Sequence, residues 1–418
     1  MGMNETPSAN RIHIGIFGRR NAGKSSIING ITGQDLAIVS DIKGTTTDPV
    51  GKAMELLPLG PVVVIDTPGL DDTGELGEKR IAKTHQILNK TDIAVLVADG
   101  MQFPGEEAWA QLEQPLLEKF ASRNIPYVIA VNKSEEISEQ QKKEITSFLE
   151  KEDKKLFVSA KSGQNIHELK ECIAALAPSG EAAKKLVGDL LRPNDVAVLV
   201  VPIDSAAPKG RLILPQQQVI RDCLEAGALA VVTRERELSG ALQSLNQKPR
   251  VVITDSQAFE QVSKETPSDI YLTSFSILFS RYKGNLKQQV QGAKALHQLK
   301  DNDTVLISEG CTHHRQCEDI GTVKMPRWIL EFTGKKIQVE FTSGTQFPED
   351  LSKYALVVHC GGCTLNEREM KYRLRCAKEA GIPMTNYGTA IAEMHGILDR
   401  SLAIFEEPLL CAGTHKDI

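Results

Sequence analysis

The sequence predicts an α/β protein: an N-terminal P-loop domain on a doubly wound, mostly parallel sheet, followed by two further, smaller α/β domains. Three observations carry this. Short Val/Ile/Leu-rich runs alternate with longer helical patterns from Arg11 to about Ala177; the first run opens into a loop of the form G-x-x-x-x-G-K-S; and the alternation resumes after Asn194 and again after Pro267. At 418 residues the chain exceeds what one core ordinarily organises. The expected domains are 1–180, 181–266 and 267–418.

In the first domain the apolar runs 12–17, 62–66, 93–98, 127–131 and 156–158 are the expected strands. Pro178-Ser179-Gly180-Glu181 reads as a linker, because Pro and Gly punctuate it and charge follows. Runs 196–201, 228–232 and 250–254 give a small second domain with no catalytic constellation, which suits an interaction or dimerisation role. Runs 304–308, 337–341 and 355–359 form the third, and its cysteines and histidines fall at or near their ends.

A hydrophobic content of 41% with 25% charged residues describes a globular chain able to bury substantial cores. The net charge of -5 removes any general attraction to nucleic acid or anionic lipid, so no nucleic-acid partner is expected. No apolar run approaches the ~20 residues that cross a bilayer, and the first residues lack the basic and apolar regions of a secretory signal. The expected location is cytoplasmic. There, eight cysteines do not suit a disulfide framework, and clustered ones are more naturally metal ligands or redox groups.

The glycine-rich loop is Gly18-Arg19-Arg20-Asn21-Ala22-Gly23-Lys24-Ser25, between a strand and a helix. Its glycines let the backbone wrap close to a phosphate, so Gly18, Asn21, Ala22, Gly23 and Ser26 are expected to hold the phosphates, with Lys24 bridging the β- and γ-phosphates and the Ser25 hydroxyl on Mg2+. Asp66-Thr67-Pro68-Gly69 ends the run 62–66, where the Asp66 carboxylate can hold the magnesium through water and the Gly69 amide can reach a γ-phosphate oxygen. Between them, Gly44-Thr45-Thr46-Thr47-Asp48 offers a hydroxyl, assigned to Thr46, that completes the magnesium shell only while the γ-phosphate is present. Lys24, Thr46, Asp66 and Gly69 are therefore the expected catalytic set. Asn132-Lys133-Ser134-Glu135 and Ser159-Ala160-Lys161 each follow an apolar strand and would read the base, Glu135 by accepting from guanine. The usual residue there is Asp; Glu135 also reads as an exposed helix-start residue. GTP is the expected nucleotide.

Cys311-Thr312-His313 follows the run 304–308, and His359-Cys360-Gly361-Gly362-Cys363 follows 355–358. Strand ends form the ligand crevice of an open parallel sheet, and a glycine-spaced C-x-x-C can turn two thiolates toward one centre. Cys311, Cys360 and Cys363 with an exchangeable fourth ligand, His313 or His359, suit an iron-sulfur cluster with one open iron. A structural zinc site and simple packing of small cysteines use the same residues. Cys317 is a spare.

The five nucleotide loops resemble those of the tRNA-modification and ribosome-assembly branch of the translation-factor GTPases. That resemblance implies GTP hydrolysis stimulated by K+ held at Asn21. Leu70 stands where small signalling GTPases carry a catalytic glutamine, so turnover is expected to be slow. Such a domain ahead of C-x-H and H-C-x-x-C motifs is similar, over essentially the whole chain, to the FeFe-hydrogenase maturation GTPases. Membership would imply a homodimeric or larger scaffold, dimerising through its middle domain, with a 4Fe-4S cluster on Cys311, Cys360 and Cys363. It would carry a di-iron subcluster precursor as cargo, and its partners would be radical-SAM hydrogenase maturases and the FeFe-hydrogenase apoprotein. The alternatives are a tRNA-modifying or ribosome-associated GTPase with a structural zinc module, and an iron-sulfur redox-sensing GTPase switch.

Overall fold

The computed structural model describes residues 6–33, 51–69, 83–84, 86–177, 184–203, 212–311, 319–344 and 346–406. Two compact units are present, Met1–Glu181 and Ala182–Ile418. The expected linker at 178–181 lies outside the described residues.

The first unit has a six-stranded sheet in the order β2-β3-β1-β4-β5-β6, with β1 Ile12–Gly18, β2 Gly51–Leu56, β3 Gly60–Asp66, β4 Ile93–Asp99, β5 Tyr127–Asn132 and β6 Lys155–Phe157. β2 runs antiparallel to β3, and every other pairing is parallel. The central strands are continuous apolar runs because both faces are covered. Ile14, Ile16, Val95 and Val128 pack on one side with Ile27, Ile31 and Leu169, while Phe17, Ile65, Leu96 and Ile129 pack on the other with Leu116, Leu117 and Phe120. Strand order reverses at β1, between β3 and β4, and at that point the carboxyl ends open a ligand crevice.

The second unit has two four-stranded sheets. One contains β7 Val196–Val200, β8 Leu229–Thr233, β9 Val251–Thr254 and β10 Tyr271–Ser274 in the order β10-β9-β7-β8; the other contains β11 Thr304–Glu309, β12 Gln338–Ser343, β13 Leu356–His359 and β14 Met384–Asn386 in the order β12-β11-β13-β14. All described pairings in both are parallel. Counted within each sheet, both follow the same order, second-first-third-fourth. The domain division expected at 266 is corrected here: β10 lies beyond it yet pairs with β9 in register from Tyr271↔Val251 to Ser274↔Thr254, so the middle layer continues past that point. In the last sheet Val305, Ile307, Leu356 and Val358 face Met325, Ile329 and Ile391, and Leu306 and Val357 face Leu374, Ala377 and Met384. Its own reversal point lies between β11 and β13, where Ser308 pairs with His359. No helix among the described residues is long and apolar enough to cross a membrane.

Candidate functional site

At the end of β1 the chain turns through Asn21 at φ 61° and Gly23 at φ 91° into the helix Lys24–Thr32. A Cβ on Gly23 would lie 2.2 Å from Asn132 Nδ2, so conformation and space both require glycine there. Lys24 is buried, and its ammonium donates to the carbonyls of Gly18 at 3.0 Å and Arg19 at 2.8 Å, inside the curl of the loop. Arg19 ties the loop outward: its Nε and Nη2 donate to the two oxygens of buried Glu113 at 2.6 and 2.8 Å. This fork anchors the loop to the helix Glu106–Ser122.

Ser25 Oγ donates to Asp66 Oδ2 at 2.9 Å. Burial raises the Asp66 pKa, against the opposing effects of Ser25 and Lys24. Its Oδ1 is buried with no hydrogen-bond partner among the described residues. A hydroxyl beside a half-buried carboxylate with one orphaned oxygen fits a hard divalent cation, and these two residues would hold Mg2+ directly and through water. Thr67 fixes the strand end by donating from Oγ1 to Ile16 O at 2.7 Å, and Gly69 follows, half-buried. Thr46 and Leu70 lie outside the described residues.

Asn132 joins two loops. Its Nδ2 donates to Ala22 O at 3.0 Å, and its Oδ1 accepts from Ala160 N at 3.1 Å, so one side chain couples the phosphate loop to the Ser159-Ala160-Lys161 loop. Lys133, at φ 62°, pairs with Asp99 at 2.5 Å. Ser159 is fully buried and accepts from Ser162 N, while Asn21, Ser25, Ser26, Glu135 and Lys161 are exposed. The structure thus gathers the predicted phosphate, magnesium and base-reading loops at one end of one sheet.

In the second unit Cys311 follows β11, and Cys360 and Cys363 follow β13, its immediate neighbour. Cys360 N donates to Ser308 O at 2.9 Å, and Cys360 Sγ accepts from Gly310 N at 3.0 Å and Gly362 N at 3.4 Å. Amide donors aimed at a sulfur stabilise its thiolate. Burial pushes the Cys360 thiol up to about 12, and Cys363 and Cys311 are near enough to add to the rise. A thiol so placed keeps its proton until a metal displaces it. Among the described residues no three His, Cys, Asp or Glu side chains are gathered about a single-ion position. His313 and Cys317 lie outside the described residues.

His359, expected as a possible fourth ligand, is corrected here. It is fully buried; Nδ1 meets Cys360 O at 2.7 Å and Nε2 meets Arg373 Nη1 at 2.9 Å. A carbonyl can only accept and a guanidinium can only donate, so Nδ1 carries the proton and the Nε2 lone pair is spent. Burial and Arg373 bring its pKa down to about 3, which keeps the ring neutral. Both nitrogens face protein partners.

Sequence reasoning missed Lys283 and Arg373. Lys283 Nζ donates to the carbonyls of Gly362, Cys363 and Leu365 at 3.4, 3.2 and 2.9 Å, holding the loop that carries Cys363. Both cations fall on apolar helix stripes, Lys283 four residues after Phe279 and Arg373 three after Met370, and a charge at stripe spacing was the available signal.

Residues 186–284 match the family model described as the hydrogen maturase F dimerization domain, and residues 287–404 the hydrogen maturase F tetramerization domain. The chain belongs to the hydrogen maturase F family. Residues 13–133 match the 50S ribosome-binding GTPase model, so the first unit is a GTPase domain. The two maturase models cover more than half of the chain, describe an oligomer-forming region, and divide at 284–287. Relatives over the GTPase part include the tRNA modification GTPase MnmE of Acetivibrio thermocellus, 32% identical over 46% of this chain and 40% of that protein. GTPase Der of Wolinella succinogenes is 36% identical over 40% of this chain and 36% of its own length. The chain therefore spans about 40% or less of the length of these curated relatives. A crystal structure of a probable GTP-binding protein engB is 26% identical, with TM-score 0.34, covering 39% of this chain and 97% of that one.

Proposed function

We propose that this GTPase is an iron-sulfur scaffold and carrier in FeFe-hydrogenase maturation, receiving a di-iron subcluster precursor as cargo and passing it to the hydrogenase apoprotein. The observation that carries the reading is the placement of Cys311, Cys360 and Cys363 at adjacent strand ends, with amide donors on Cys360 Sγ, in a chain that also holds a GTPase domain. The donor set fits a thiolate-ligated 4Fe-4S cluster, which when bound supplies an iron position for the cargo. The chain's own part is to present three thiols from two neighbouring strand ends and to aim the Gly310 and Gly362 amides at Cys360 Sγ.

GTP would be held where Lys24 and the loop amides converge, and Ser25 and Asp66 would hold its Mg2+. Asn132 carries the effect of nucleotide binding between the phosphate and base loops. The Thr46 hydroxyl would complete the Mg2+ shell only while the γ-phosphate is present, so hydrolysis would time exchange with radical-SAM maturases. Turnover is slow and stimulated by K+ at Asn21. The maturase models over residues 186–404 favour this reading over a tRNA-modifying GTPase with a zinc module.

Metal and sulfide analysis with electron paramagnetic resonance, on anaerobically reconstituted wild type beside Cys363→Ser, tests it. About four irons with matching sulfide and a reducible cubane signal, disrupted by the substitution, is the expected outcome. Stoichiometric zinc with no reconstitutable cluster overturns it. Activation of apo-hydrogenase by the loaded protein then separates a carrier from an iron-sulfur redox switch.

A further inference from the structure

We propose that Lys283 is a positioning residue for the cysteine centre: its buried ammonium clamps the Cys363 loop and supplies the positive charge that a thiolate-ligated cluster requires on that face. The inference rests on the reading of Cys311, Cys360 and Cys363 as cluster ligands.

Lys283 ends the helix Phe275–Lys283 at 2% exposure, lies 5.4 Å from the Phe279 ring centroid, and spends its three protons on three backbone carbonyls. Those acceptors are neutral. Among the described residues no carboxylate lies within ion-pair distance of it. Glu367, the carboxylate whose field it feels, is already held by Lys184 at 2.5 Å and Lys371 at 2.7 Å. Arg373, also buried in the second unit, differs in having Glu369 at 2.9 Å as its counter-ion.

Burying an ammonium without a counter-ion is unfavourable, and a lysine needed only to tie carbonyls would leave that cost standing. Among the described residues, the groups of acidic character whose field it feels besides Glu367 are the Cys363 and Cys360 thiols. When iron displaces their protons the loop becomes anionic, and the charge of Lys283 is balanced from the side its hydrogen bonds already face. The same three bonds fix the direction of the chain from Gly362, at φ 61°, through Leu365, and so the approach of Cys363.

A nearby cation stabilises the reduced, more negative cluster and raises its potential. The test uses full-length protein reconstituted with ferrous iron and sulfide, as wild type, Lys283→Met and Lys283→Arg. Each is scored by iron and sulfide content and by a redox titration followed by electron paramagnetic resonance, with circular dichroism of the iron-free protein as the fold check. Lys283→Met is expected to lose iron or to hold a cluster at a lower midpoint potential, and Lys283→Arg to restore both toward wild type. Wild-type iron content and wild-type potential in folded Lys283→Met overturn the proposal. If Lys283→Met does not fold, Lys283→Gln, which keeps a donor and removes the charge, is scored against the same two outcomes. A wild type that takes up no cluster overturns the ligand reading itself, and with it this proposal, whatever the variants do.

Discussion

Arg373 donates through Nη1 to His359 Nε2 at 2.9 Å, and the same guanidinium donates through Nε to Glu369 Oε1 at 2.9 Å and through Nη2 to Gly344 O at 2.7 Å. The imidazole is thus a brace between a buried ion pair and the carbonyl of Cys360, and it sets the direction in which the chain leaves β13. Ser308, its register partner on β11, accepts from Thr342 on β12, so three strand ends are tied into one polar layer.

His359→Gln is expected to keep the iron content and paramagnetic signal of wild type while lowering the thermal midpoint of the second unit. Losing a hydrogen bond to a charged group costs about 1.5–3 kcal/mol. A ligating histidine would instead lose the signal as Cys363→Ser does, so the two measurements together separate brace from ligand.

Arg373→Met removes the one charged partner of Glu369 among the described residues, and Glu369 is 4% exposed. A stranded buried charge destabilises by about 3–5 kcal/mol, whereas replacing both partners with apolar groups is often close to neutral. Denaturation of the iron-free protein should therefore show a large loss in Arg373→Met and recovery of most of it in Arg373→Met/Glu369→Leu. Equal losses in both would contradict a dominant pair effect.

In the first unit, Gly23→Ala places a methyl 2.2 Å from Asn132 Nδ2 at a φ of 91°. The phosphate loop and the Asn132 bridge must both shift, and GTP affinity is expected to fall at least tenfold, about 1.4 kcal/mol. Titration with a fluorescent guanine nucleotide measures this. Unchanged affinity would mean that Asn132 does not couple the two loops.

The phosphate loop and the strands feeding it were legible because the chemistry demands fixed residue types at fixed spacing, and because strands buried on both faces are unbroken apolar runs such as 93–98. β2 was not. Gly51–Leu56 is an edge strand with Lys52 and Glu55 and a mostly exposed surface, so neither periodicity nor composition marks it. β10 and β14, four and three residues long, are too short to show a pattern, and missing β10 misplaced the division at 266. At the cysteine centre the sequence reveals candidate ligands but not how an imidazole is spent. That depends on Arg373, fourteen residues away and brought in by the helix Glu367–Glu379.

Every described strand pairing in the second unit is parallel, and this governs when its cysteines can first meet. Parallel neighbours cannot be joined by a hairpin; β11 and β13 pair only after the 46 residues between them have made their crossover and placed β12 on the far side. Closing such loops precedes any reward from the contacts they form, so assembly of this layer is a late event in folding. Iron therefore cannot nucleate this fold as zinc nucleates a small finger; it enters a layer already built. Cluster loading should succeed on folded apoprotein and fail on chain refolding from denaturant in the presence of iron, where unpaired thiols meet the metal before their strands meet each other.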